Sequence, residues 1–168
     1  MRAQPCNAQA VYHSRVIKVA VSACLLGSPV RYDGGDKKSD HPVLQRWLEE
    51  GRLVSVCPEM LGGLGTPRLP SEIVRGTRRV VSSEGRDVSA EFEAGARAAT
   101  EQAHDVRVAI LKEGSPSCGS SYVYDGTFTR SRVAGEGVTA ALLRERGVVV
   151  FSEEQLDAAA ALIESLER

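Results

Sequence analysis

The sequence predicts one α/β domain with a mainly parallel, Rossmann-like sheet flanked by helices and a small hairpin insertion. Three observations predict it. Four short apolar runs, at residues 17–23, 53–56, 107–111 and 148–151, read as buried strands. Segments with helical spacing alternate with them, which argues for right-handed parallel crossovers. Glycine- and proline-rich loops follow the first three runs, at the edge where open α/β sheets bind ligands. A chain of 168 residues suits a single domain with a good core. Residues 1–15 read as a flexible polar tail and residues 16–168 as the domain.

Each element has its own signal. Residues 17–23 form the first strand, and Gly27-Ser-Pro-Val-Arg-Tyr-Asp-Gly-Gly35 carries too many breakers for a helix. A first helix is predicted with Asp40 as its N-cap, Pro42 in its first turn and Gly51 at its stop. Val43, Leu44, Trp47 and Leu48 share one face of it, so Trp47 is a core residue. Leu53-Val-Ser-Val56 is the second strand and ends at Cys57-Pro-Glu59. Residues 60–72 read as a long irregular loop of the kind that carries function. Residues 78–82 with a Glu84-Gly85 turn suggest a hairpin, and Asp87 is placed to cap an alanine-rich helix that reaches His104. The third strand runs into Gly114-Ser-Pro-Ser-Cys-Gly119. Residues 122–133 show no clear period beyond a turn at Asp125-Gly126. A helix over 137–146, the fourth strand, and a last helix from Glu153 with Leu156, Ala159, Ala160, Ile163 and Leu166 as its apolar stripe complete the order.

The composition is 42% hydrophobic and 26% charged with net charge −1, which gives no support for nonspecific nucleic-acid or membrane binding. No apolar run reaches the length of a membrane span, and the N-terminus lacks a secretory signal. A cytoplasmic, reducing location is the expectation, and structural disulfides are not expected there. Of the four cysteines, none forms a CxxC pair, and Cys6 reads as a free thiol of the tail. Cys24, Cys57 and Cys118 each follow a strand-like run, so a parallel sheet would bring three thiols to one edge. Three thiolates with no fourth partner leave a metal centre open to react. Zinc fits three thiolates plus a fourth ligand, for which His41 is a candidate that reads instead as an exposed residue beside the Asp40 cap, and an iron–sulfur cluster with one open iron fits as well.

Polar residues beside these cysteines are the further candidates. Glu59, two residues past Cys57, could move protons at such a centre; Glu113 has the same potential with less support. The Ser115 hydroxyl, three residues before Cys118, could orient a substrate or water, or simply stabilise its turn. Arg68 and Arg75, with Arg78 and Arg79, make a basic segment where a phosphate or carboxylate could dock, against the plainer reading of a solvated basic face. Arg31 and Tyr32 of the first loop join Arg68 and Arg75 as candidate substrate-binding residues, and Arg31 is also placed to pair with Asp33.

Three motifs occur in order: Val21-Ser-Ala-Cys-Leu-Leu-Gly27 with Val30-Arg-Tyr-Asp-Gly-Gly35, then Cys57-Pro-Glu-Met-Leu-Gly-Gly-Leu-Gly-Thr-Pro-Arg68, then Leu111-Lys-Glu-Gly-Ser-Pro-Ser-Cys-Gly119 with Tyr124-Asp-Gly-Thr-Phe128. Together they resemble the thiouracil desulfidase family. The resemblance implies a [4Fe-4S] cluster held by Cys24, Cys57 and Cys118, with one iron open to bind sulfur from a thiolated uracil base or nucleotide. It implies Glu59 as catalytic acid/base and Ser115 as its assistant. Val30 stands where many relatives carry a further cysteine. The expected partner is a small thiolated pyrimidine, not a membrane, and not a tRNA, since no separate basic domain is present. Two other classes stay open: a zinc or cysteine-thiolate hydrolase, and a noncatalytic cluster- or sulfur-binding module.

Overall fold

Strands β1 (Val19–Ser22), β2 (Leu53–Val56), β5 (Val108–Leu111) and β8 (Val149–Ser152) build the central sheet in the order β2-β1-β5-β8. The structure is a computed structural model that describes residues 16–168; the tail and Cys6 lie outside the described residues. Every pairing in this sheet is parallel, with Val19 opposite both Leu53 and Val108, and Val108 opposite Val149. The two middle strands are buried along their whole length, as expected of strands covered on both faces.

The period of two sorts the strand side chains. Val19, Val21, Val108 and Ile110 face α1 (Pro42–Glu49) and α5 (Leu156–Leu166), where Leu44, Trp47, Leu156 and Ile163 close the core. Ala20, Ala109 and Leu111 face the other way, onto Ala99 of α3 (Ser89–Gln102) and Leu143 of α4 (Val138–Glu145). Trp47 is 1% exposed, as predicted.

Several predicted details differ. β1 stops at Ser22, and residues 23–26 tighten into a 3-10 turn. His41, not Asp40, caps α1: its Nδ1 accepts the Val43 N–H at 3.2 Å. Leu48 is exposed, because a helix buries only the stripe that meets its neighbour. A short helix, α2 (Pro58–Leu61), begun by Pro58 at its first position, takes up the start of the stretch expected to be irregular. The first hairpin pairs β3 (Ser71–Ile73) with β4 (Val80–Ser82), and the Glu84-Gly85 turn then returns the chain to a bridge between Val81 and Asp87. The Asp87 carboxylate accepts the Ser89 N–H at 3.0 Å at the start of α3. Residues 122–133 contribute a second hairpin, β6 (Tyr122–Tyr124) against β7 (Arg132–Ala134). Leu166, at the end of the predicted stripe, is exposed. Among the described residues, no helix is long and apolar enough to cross a membrane.

One packing contact bears directly on the site. α2 lies backbone to backbone on α3: a Cβ on Gly95 would fall 1.9 Å from the Pro58 carbonyl oxygen, and one on Gly62 2.1 Å from the Glu91 oxygen. Only glycine fits at either place.

Candidate functional site

The three cysteine loops leave the carboxyl ends of β1, β2 and β5, which are neighbours in the sheet. Cys24 sits in the 3-10 turn, and its carbonyl accepts the Gly27 and Lys37 N–H groups at 3.2 and 2.9 Å. Cys57 follows β2 directly and caps α2, its carbonyl accepting the Leu61 N–H at 3.0 Å. Cys118 closes a turn in which the Ser115 hydroxyl oxygen accepts the Ser117 and Cys118 N–H groups, both at 3.1 Å. All three thiols are free and line one cavity of about 510 Å³.

Burial pushes the Cys118 thiol up to about 12 and the Cys24 thiol up to about 11, the latter helped by neighbouring Cys57. Burial also raises Cys57. The trio therefore stays protonated at neutral pH unless a cationic centre displaces the protons. Among the described residues, no three His, Cys, Asp or Glu side chains gather closely enough to hold a single metal ion. Three thiols lining one cavity are soft donors of the kind that hold an iron–sulfur cluster. His41 caps α1 and stands 3.7 Å from Asp157, so it does not join the thiols. Donor type and number thus fit an iron–sulfur cluster.

Both candidate carboxylates are fixed, in different ways. Glu59 lines the cavity and is held by Arg68, whose Nε donates to Oε2 at 2.6 Å. Glu113 is 5% exposed and accepts from Ser120 N at 2.7 Å, Ser120 Oγ at 2.6 Å and Ser121 Oγ at 2.9 Å, with further backbone donors. Burial alone would raise its carboxyl, but these bonds prevail and hold it at about 2. Glu113 therefore braces the Cys118 loop as a permanent anion.

The candidate substrate-binding residues divide. Arg31 and Tyr32 line the cavity; Arg31 lies over the Tyr32 ring at 5.7 Å and pairs with Asp33 at 3.4 Å. Arg68 also lines it, but its guanidinium is engaged by the protein. Arg75 is exposed and does not line it, because the first hairpin turns the residue outward. Arg78 and Arg79 pair at the surface with Glu145 and Asp87.

Sequence reasoning missed the wall built by the second hairpin. Tyr122 and Tyr124 meet edge to face at 6.2 Å, and Arg132 stacks over Tyr122 at 4.5 Å. Arg130, in the left-handed region with φ 64°, and Lys37 complete a basic rim. Glu72 holds the hairpin tip by accepting the Gly126 and Phe128 N–H groups at 2.9 and 3.0 Å. The alternation Tyr122-Val-Tyr124 before Asp125-Gly126 was the signal for this hairpin.

Known proteins resemble the chain along most of its length. The family model described as 2-thiouracil desulfurase matches residues 19–155. The Bacillus subtilis (strain 168) protein described as uncharacterized protein YbbK is 40% identical over 149 residues, covering 83% of this chain and 97% of that protein. A solved structure described as the [4Fe-4S]-dependent thiouracil desulfidase TudS is 50% identical, with a TM-score of 0.84, and the match covers 88% of this chain and 98% of that one.

Proposed function

This chain belongs to the 2-thiouracil desulfurase family, and from that premise we propose that Cys24, Cys57 and Cys118 hold a [4Fe-4S] cluster at which a thiolated uracil base or nucleotide loses its sulfur. The activity is iron–sulfur-dependent thiouracil desulfidation, in keeping with the likeness to TudS. The observation that carries the residue assignment is the meeting of three free thiols and the Glu59 carboxylate in one cavity at the strand ends.

When bound, the cluster supplies a soft Lewis-acidic iron, left open by a three-cysteine ligand set, for the substrate sulfur. The chain does the rest. Glu59 takes a proton from the water that attacks the ring carbon and returns one to the departing sulfur. The Ser115 oxygen is oriented by two backbone donors, and its own O–H remains to hold the water or a ring substituent in line. Tyr122 and Tyr124 present an aromatic wall to the pyrimidine, and Arg31, Arg130 and Lys37 offer cations to an anionic substituent. Thiocarbonyl and water become carbonyl and hydrogen sulfide, a hydrolysis with no net redox change. Three free thiols suit a reducing compartment, so we place the enzyme in the cytoplasm, with residues 16–168 acting as one domain.

The test is anaerobic reconstitution, iron and sulfide assay, and turnover of 2-thiouracil. Each of Cys24→Ser, Cys57→Ser and Cys118→Ser should lose iron and activity; a variant keeping both refutes the ligand assignment. A colourless protein with stoichiometric zinc would favour a thiolate hydrolase, and a coloured one that binds but releases no sulfide a binding module.

A further inference from the structure

We infer that Arg68 is the positioning residue of the proton-moving carboxylate, clamping one oxygen of Glu59 so that the other faces the reaction. The inference rests on the reading of Glu59 as the group that moves the proton.

The geometry is specific. Arg68 Nε donates to Glu59 Oε2 at 2.6 Å, and Nη2 stands 2.6 Å from the same oxygen. Among the described residues, Oε1 has no hydrogen-bond partner. A carboxylate held through one oxygen keeps its plane fixed and its second oxygen available. The guanidinium is itself fixed: Nη1 donates to the Gly65 carbonyl at 2.6 Å and Nη2 to the Val30 carbonyl at 2.9 Å. Its side chain is 10% exposed and that of Glu59 16%. Every nitrogen of Arg68 thus has a protein acceptor, which leaves no face for the substrate anion that the basic segment was expected to bind.

The two carbonyls belong to different cysteine loops. Val30 lies in the loop that follows Cys24, and Gly65 in the one that follows Cys57. Arg68 therefore references the carboxylate to both loops at once. Lysine is a point charge without a planar fork and cannot reproduce this set. A purely structural reading, in which Arg68 only ties the loops together, predicts loss of the cluster rather than loss of rate.

The experiment compares anaerobically reconstituted Arg68→Lys, Arg68→Ala and Glu59→Gln with the unaltered enzyme, measuring iron and sulfide per chain and kcat and KM for 2-thiouracil. Arg68→Lys should keep its cluster, hold KM within about threefold and lose about 10- to 100-fold in kcat, the scale of a misplaced reacting group. Millimolar guanidinium should restore part of the Arg68→Ala rate at constant iron and leave the unaltered enzyme unchanged. A near-normal kcat in Arg68→Lys, the absence of rescue, or a rate loss that merely follows lost iron in both Arg68 variants overturns the inference. Glu59→Gln separates the two levels. Normal turnover there refutes the role of Glu59 itself, whereas an inactive Glu59→Gln beside an unimpaired Arg68→Lys refutes only the part given to Arg68.

Discussion

Replacing Gly95 by alanine should impair both stability and turnover. The new Cβ would lie 1.9 Å from the Pro58 carbonyl oxygen, where ordinary contact begins at 3.4 Å, so α2 and α3 must separate by roughly 1.5 Å. Overpacking costs about 1–3 kcal/mol where side chains can adjust; here the obstacle is a backbone carbonyl, so the cost lies at the top of that range or above it. Alanine recovers about 1 kcal/mol of helix propensity over glycine, leaving a net loss of about 2 kcal/mol or more. In a domain of this size each kcal/mol lowers Tm by about 2–4 °C. The displaced backbone, however, joins Cys57 to Glu59, and a misplacement near 1 Å costs about 100-fold in rate. Thermal melts read the first quantity, and kcat of the reconstituted Gly95→Ala enzyme reads the second. A normal kcat at normal iron content would refute the claim that this helix contact sets the site. An unchanged Tm would refute the packing argument.

Glu113 makes stability depend on acid: its folded carboxyl is held at about 2 against an ordinary 4.5, so its contribution is full above pH 4.5 and disappears as pH falls toward 2. That shift corresponds to about 3 kcal/mol, and urea midpoints should fall across this window more steeply in the unaltered protein than in Glu113→Gln. Trp47→Ala should cost about 3–5 kcal/mol in denaturant melts, because the indole is fully buried against α5. Arg130→Ala should raise KM for a thiolated uridine monophosphate while leaving KM for free 2-thiouracil unchanged, and Arg75→Ala should alter neither. A change in KM for the free base would move Arg130 from the rim to the ring.

What the sequence showed of this molecule was what depends on neighbours in the chain. Val19 to Val21 and Val108 to Leu111 are continuous apolar runs, so their burial, and the cysteine loops after them, could be read directly. The exposed side of the basic segment could not. Whether Arg68 or Arg75 turns inward is decided by the hairpin that carries Arg75 and by the loop carbonyls that hold Arg68, and a run of arginines carries no record of either. Glu113 posed the same difficulty: its partners Ser120 and Ser121 lie seven and eight residues on, and only the turn through Gly119 brings them back. His41 displaced Asp40 as the cap because its ring nitrogen reaches the Val43 N–H from one residue nearer the helix.

The order β2-β1-β5 also dictates a sequence of events. Cys24, Cys57 and Cys118 are dispersed along the polypeptide and become neighbours only when three parallel strands are in register. Parallel pairing joins distant segments and forms late compared with local structure. No fragment ending before Cys118 contains the complete proposed ligand set, so on that proposal the nascent chain does not nucleate on its metal in the way a short zinc finger does. The two apolar clusters on either face of the sheet supply cohesion that needs no iron. If these cysteines are the ligands, the chain can therefore fold before any cluster is bound, and cluster insertion becomes a step separate from folding.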